Sequence, residues 1–411
     1  MREAIGKPQY LAATLLILFL AQCSWLVNRN LHSGSLETRE WYRLDRGARL
    51  RGGGPPRTAL GLDVGDPFLQ AGPVPPARIQ ENGGVDPDHS ALWYLIPAVP
   101  LALWHAPLSS ESLSSWGWLV RAPSMFFGVM LGASLWYVAR RLYGNAGGFI
   151  ALTLYCFAPG IIQTTAVWYV EPEIGAAWGA FGTIFTGIAV AHTLYAPREV
   201  VLWNWRRILL LGISIALAIG SQYSLVVLVL LALPLMLYLA PARRQAAITI
   251  WLAACTVGAI ILFAAYGFQP APFFEAAGDA HWCEVKWRAF LFPGAFVRIL
   301  SQLGTSSPAL VLMLPAALIV YVIWKRARYF GNTAPLLIAG ICFVLGWASP
   351  HYPGLGFQLV SFPFFFVFVA GVFADLLETR QRRVVLASLV GLLSAYALLN
   401  VARLLQVAAF R

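Results

Sequence analysis

Apolar positions in this chain do not alternate with polar ones; they gather into long runs separated by short polar connections. Such runs cover residues 10–27, 118–138, 147–167, 174–194, 208–221, 223–238, 247–268, 308–324, 334–347, 357–373 and 384–401. A helix needs roughly 20 mostly apolar residues to cross about 30 Å of hydrocarbon while satisfying its own backbone. The pattern therefore predicts an all-α polytopic membrane protein with about eleven transmembrane helices.

One further apolar run, 91–104, is shorter and contains Pro97 and Pro100. The charges decide its reading. With Arg2 and Lys7 in the cytoplasm, the clusters Arg140/Arg141, Arg198/Arg206/Arg207, Arg243/Arg244, Lys325/Arg326/Arg328 and Arg380/Arg382/Arg383 all fall on that same side, as short basic loops should. Counting 91–104 as a span would put Arg140 and Arg141 outside. It is expected to lie at the interface instead, with Trp93, Tyr94 and Trp104 at headgroup level.

Residues 28–116 then form one long external loop, interrupted by Pro/Gly-rich stretches at 52–56 and 67–76. Within it, Leu36, Trp41, Leu44 and Ala48 recur at helical spacing, which predicts a second juxtamembrane helix over 36–50. A smaller external loop covers 269–305. The run 10–27 is followed by no small-residue cleavage site and reads as an uncleaved first span.

Composition agrees: 59% of the residues are hydrophobic and 11% charged, which leaves too little polar surface for a water-soluble domain. The net charge of +11 is spread over the short clusters and forms no basic domain, so nucleic acid is not an expected partner. Cys23, Cys156, Cys255 and Cys342 lie in apolar runs and only Cys283 lies in a loop, so no disulfide or thiolate metal site can be assembled.

The acidic residues locate the chemistry. Apart from Glu3, Glu199, Asp375 and Glu378, all of them fall in the external loops. Glu37 and Glu40 share one face of the 36–50 helix, where a carboxylate would serve as a general base or form a solvated face neutralised by Arg39, Arg43 and Arg46. Glu171 and Glu173 flank Pro172 in a very short connection between two spans, either as a paired acidic site or as ordinary helix-start acids. Asp86 and Asp88, beside His89, have the spacing of a divalent-metal and diphosphate site, although Asp also collects in Pro-rich turns. On the same side, Arg121, Lys286, Arg288, His351 and Tyr352 are candidate phosphate and sugar binders, or interfacial anchors. No phosphate-binding P-loop, zincin or serine-hydrolase motif occurs. No charge sits deep in a predicted span, which argues against an ion-coupled transporter.

Several blocks resemble the GT-C superfamily of membrane glycosyltransferases, in particular its branch of protein O-mannosyltransferase-like and lipid A aminoarabinose transferase-like enzymes. Glu37-Thr38-Arg39 with Tyr42 is similar to the acidic motif of that family's first external loop. Asp88-His89-Ser90-Ala91-Leu92-Trp93-Tyr94-Leu95 resembles its His-Pro-Pro-Leu-Tyr-Tyr-Leu segment. The most specific match is Arg121-Ala122-Pro123-Ser124 followed by Ala139-Arg140-Arg141-Leu142-Tyr143-Gly144. Glu171-Pro172-Glu173 stands at the place of the second-loop carboxylate, Gly220-Ser221-Gln222-Tyr223-Ser224 resembles a Thr-Lys-Tyr-Thr block, and His351-Tyr352-Pro353 a late Arg-Tyr-x-x-Pro. Leu36 departs from the family's Asp, Gln222 from its frequent Lys, and His351 from its frequent Arg.

The resemblance implies a single membrane domain over 1–411: a GT-C-like module over 1–239, containing the 28–116 loop, then more variable spans over 240–411. It also implies a polyprenyl-phosphate-linked sugar donor, inverting transfer at the non-cytoplasmic (periplasmic) face of the inner membrane, and a loop carboxylate as base. Glu37 or Glu40 is then the expected base, and Glu171 or Glu173 orients the acceptor or a divalent metal. Arg121, Lys286 and His351 face the phosphate; His89, Gln222, Tyr223, Arg288 and Tyr352 line the substrates. The acceptor, whether lipid, glycan or protein, is open. The alternative is a non-catalytic GT-C-like subunit that binds lipid or holds protein partners in a membrane complex.

Overall fold

A computed structural model of the chain describes residues 2–32, 88–103, 113–166, 173–195, 205–282, 287–291, 293–324, 330–348, 356–379 and 381–409; its regular elements are all helical. Every expected apolar run is largely helical among the described residues, with 147–167 interrupted at 157–158 and 247–268 ending in a turn. Seven helices, against the eleven expected, have the length and hydropathy to cross a membrane by themselves, and Tyr223–Leu239 and Pro308–Ile323 are shorter apolar helices. The difference has identifiable causes. The run 118–138 and the first half of 147–167 lie in one helix bent at Gly144, and the helix over 208–221 begins with the charged pair Arg206 and Arg207. The interfacial run 91–104 is a helix, Ala91–Leu103. The expected helix over 36–50 lies outside the described residues.

The helices form two compact units, each drawn from separate stretches of chain. The first unit contains α1 (Arg2–His32) through Arg29, α3 (Leu113–Cys156) from Met125, and α4 (Pro159–Ala166). It also contains α10 (Pro293–Ser306), α11 (Pro308–Ile323), α12 (Phe330–Ala348), α13 (Gly356–Leu377) and α14 (Arg382–Ala409). The second unit contains α2 (Ala91–Leu103), the start of α3, α5 (Glu173–Thr193), α6 (Trp205–Ser221), α7 (Val226–Leu239), α8 (Arg244–Ala265) and α9 (Pro270–Asp279). Proline opens α4, α9, α10 and α11, where a missing N–H leaves no bond unmade.

In the first unit α13 is the central element. Phe362, Phe364, Phe366 and Phe368 are all buried, and the helix packs against α11, α12 and α14. A helix that is apolar all round belongs inside a bundle. α3 bends at Gly144, whose φ of 76° is the left-handed region that glycine occupies without strain. The Tyr143 hydroxyl beside this bend donates to the Gly331 carbonyl at 2.5 Å. The bend therefore falls next to Arg140 and Arg141, where the charge pattern ends one span and starts the next. One finding departs from the expected run 147–167: α3 stops at Cys156 and a new helix begins at Pro159.

In the second unit α5 packs along α6 and α7, α6 also packs along α8, and α2 lies on α6 and α8. Small residues allow the close approach. A Cβ at Gly179 would stand 2.4 Å from the Ala218 backbone nitrogen, and one at Gly182 would stand 2.4 Å from the Ser214 Oγ. Without a hydrophobic drive between helices in lipid, such close backbone contact supplies much of the attraction.

Candidate functional site

The site of the second unit is built on a helix break. α6 ends at Ser221, Gln222 is extended (φ −158°, ψ 112°), and the chain re-enters a helix through the 3-10 turn Tyr223–Leu225. Ending a helix leaves backbone groups without helical partners. The segment Asp88–Ser90 supplies them. The Gly220 carbonyl accepts from the Ser90 backbone N–H at 3.1 Å and from its hydroxyl at 2.9 Å. The Tyr223 N–H donates to the Asp88 carbonyl at 3.1 Å. The Ser90 Oγ also accepts from the Leu92 N–H at 3.2 Å, so one hydroxyl both caps α2 and ties it to the break.

Three aromatic residues extend this junction. The Tyr266 hydroxyl lies 2.9 Å from the Tyr223 hydroxyl and accepts from the Ala91 N–H at 3.3 Å. The chain then turns sharply, with Gly267 and Phe268 both at positive φ (63° and 58°), and α9 follows. After α9, the Trp282 ring comes to 5.3 Å from the Tyr223 ring, and the His281 Nδ1 comes to 3.1 Å from the Asp88 Oδ1. Asp88 and His281 are partly exposed, at 32% and 45% of their side-chain surface. A carboxylate, an imidazole and an indole face thus share one accessible rim, a set suited to sugar hydroxyls and to proton exchange.

The buried side of the junction carries Glu173. It is the first residue of α5 and is 5% exposed, placed where the helix dipole favours a carboxylate. Half a turn later, a Cβ at Gly175 would stand 2.8 Å from the Trp93 ring and 3.4 Å from the Ser221 Oγ. That Ser221 hydroxyl is buried and has no hydrogen-bond partner among the described residues. Arg121, also buried, donates from Nη1 to the Gly117 carbonyl at 3.0 Å within the first turns of α3.

The structure thus brings Asp88, Tyr223 and, through its backbone, Gln222 into one junction, and sets the start of α5 against α2 and the end of α6. Gln222 is buried and donates to the Ser224 Oγ at 3.0 Å. His89 is half-buried beside Asp88. Arg288 is exposed and belongs to the first unit. Glu37, Glu40, Asp86, Glu171, Lys286, His351 and Tyr352 lie outside the described residues. Among the described residues no three His, Cys, Asp or Glu side chains converge on a metal position, and Asp86 lies outside them. Sequence reasoning missed Ser90, Ser221 and Tyr266, none of which is charged. The Tyr-Gly-Phe triplet that closes the apolar run 247–268 was the available signal for Tyr266.

Helices arranged in this order make an all-helical polytopic membrane fold of GT-C-like form. Two solved structures share that form. The archaeal oligosaccharyltransferase AglB from Archaeoglobus fulgidus, in complex with an inhibitory peptide and a dolichol-phosphate, superposes with a TM-score of 0.57 at 12% identity, over 96% of this chain and 56% of that one. ArnT from Cupriavidus metallidurans in the apo state superposes with a TM-score of 0.54 at 13% identity, over 90% of this chain and 60% of that one. The chain spans somewhat more than half the length of these proteins. No family sequence profile and no curated protein sequence matches it.

Proposed function

We propose that this protein transfers a sugar from a polyprenyl-phosphate-linked donor to an acceptor at the non-cytoplasmic face of the inner membrane, with inversion at the anomeric carbon. The observation that supports this reading is the junction of Asp88, Gln222 and Tyr223, with the rim of His281 and Trp282, in a chain whose fold is similar to those of AglB and ArnT. AglB, which shares that fold, was solved with a dolichol-phosphate, a lipid of the proposed donor class.

In an inverting transfer the acceptor oxygen or nitrogen bonds to the anomeric carbon as the carbon–oxygen bond to phosphate breaks. The acceptor proton passes to a carboxylate, and the phosphate leaves with the bonding pair. Glu37 or Glu40 is the proposed base; Glu171 or Glu173 orients the acceptor. Arg121, Lys286 and His351 are proposed to face the leaving phosphate, where a cation offsets the developing charge. Tyr223 and Trp282 offer ring faces to the sugar.

The test is transfer of a labelled polyprenyl-phosphate sugar by the purified chain in proteoliposomes, with Glu37→Gln, Glu40→Gln, Glu171→Gln and Glu173→Gln taken one at a time. Loss of the base lowers turnover by roughly 10²–10⁴-fold. Undiminished transfer in all four variants overturns the site. No transfer from any donor, with stable co-purification of other membrane proteins, favours the non-catalytic subunit.

A further inference from the structure

A second set of buried polar groups lies in the first unit, at the break between α3 and α4. Because α3 stops at Cys156, the carbonyls of Cys156 and Phe157 lose the N–H groups that a continuing helix would offer. Side-chain amides replace them. Gln22 of α1 donates from Nε2 to the Cys156 carbonyl at 3.2 Å, and Asn400 of α14 donates from Nδ2 to the Phe157 carbonyl. With each amide nitrogen committed to a carbonyl, the amide oxygen must point the other way. Neither oxygen, Gln22 Oε1 nor Asn400 Oδ1, has a hydrogen-bond partner among the described residues.

Two hydroxyls join them. Asn400 follows Tyr396 by one helical turn on α14, and the Tyr396 hydroxyl faces Ser307, the N-cap of α11. Ser306, its neighbour, packs against Gly160 just past the break, where a Cβ would stand 2.5 Å from the Ser306 Cβ. Both hydroxyls are buried, and neither makes a well-formed hydrogen bond among the described residues. Two amide oxygens from α1 and α14 are therefore left without partners around one break, beside the facing hydroxyls of Tyr396 and Ser307. By helical rise, Gln22 lies about 22 Å along α1 from Lys7 and about 10 Å from Arg29, and Asn400 about 26 Å along α14 from Arg383 and about 5 Å from Arg403, so the break lies toward one end of these apolar segments.

We infer that this break is a binding site for one or two internal water molecules, held by Gln22 Oε1, Asn400 Oδ1, Ser307 Oγ and Tyr396 Oη. Water fits the chemistry: the two amide oxygens need donors, and the two hydroxyls accept or donate as required. A divalent cation does not fit, because α3, α4, α10, α11 and α14 contain no carboxylate and α1 has only Glu3 at its far end. The water completes the hydrogen bonding of an unwound segment in an otherwise apolar bundle, where lipid can offer none.

The full chain in nanodiscs tests this by X-ray hydroxyl-radical footprinting, since radicals form at bound water. Tyr396, 6% exposed, is expected to be modified at least tenfold faster than Phe366, fully buried in the same unit. Equal protection of the two would overturn the proposal. Thermal unfolding gives a second, independent sign. In a hydrated site, Tyr396→Phe and Ser307→Ala each remove a water ligand and lower Tm; in a dry site each removes an orphaned hydroxyl and leaves Tm unchanged or higher. A rise in Tm with added Na⁺ or K⁺ that Asn400→Leu abolishes would replace water by a cation and overturn the assignment.

Discussion

Gly179→Ala places one methyl group at the closest helix contact of the second unit. Its carbon would stand 2.4 Å from the Ala218 nitrogen and 2.9 Å from both the Ala218 Cα and the Leu217 carbonyl carbon. All three opposing atoms are backbone, so no side-chain rotation relieves the overlap. Restoring contact at about 3.4 Å requires α5 and α6 to part by about 1 Å, which also loosens the neighbouring approaches at Gly175 and Gly182. Overpacking costs about 1–3 kcal/mol in general, and a backbone clash sits at the top of that range. For a chain of this size that is a fall in Tm of roughly 3 °C. The assay is thermal unfolding in nanodiscs followed by tryptophan fluorescence, with Gly340→Ala as control, since nothing lies within 4 Å of a Cβ there. The control gains up to about 1 kcal/mol of helix propensity and unfolds no earlier than the native chain. Because α6 ends in the break that holds Asp88 and Ser90, Gly179→Ala also lowers sugar transfer. A Gly179→Ala protein as stable and as active as the control would refute the packing argument.

Tyr266→Phe removes the acceptor of the Ala91 N–H and the partner of the Tyr223 hydroxyl; a loss of about 1–2 kcal/mol and slower transfer are expected, and an unchanged Tm with unchanged transfer would contradict it. The partly exposed pair Asp88 and His281 contributes little to stability, so Asp88→Asn and His281→Gln are expected to shift Tm by less than about 1 °C. Both raise the KM for the sugar donor severalfold; a large fall in Tm with an unchanged KM would make the pair a structural clasp instead.

Parts of the site were legible in the sequence and parts were not. Asp88, Glu173, Gln222 and Tyr223 stood out because acids are scarce in this chain and because family-like blocks surround them. Ser90 and Tyr266 did not, since a serine and a tyrosine among apolar runs carry no local sign of what they bond. The interruption at Phe157–Ala158 was hidden in a run apolar enough to pass as one span. Pro159 marked it, but a proline opening a helix and a proline kinking one read alike until the neighbours are known.

The sequence by itself determined that the chain is a polytopic, all-helical membrane protein and where its apolar helices fall. Partitioning of a run depends on the summed transfer free energy of adjacent residues, and topology depends on charges next to the run; both quantities are local. Only the tertiary structure decided which separated segments meet. Asp88 and His281 stand 193 residues apart, and Asn400 and the Phe157 carbonyl 243 apart. Those pairings follow from close helix packing and from the need of each unwound backbone group for a partner where water and lipid supply none. No local pattern encodes that need, because it arises only after the helices have assembled.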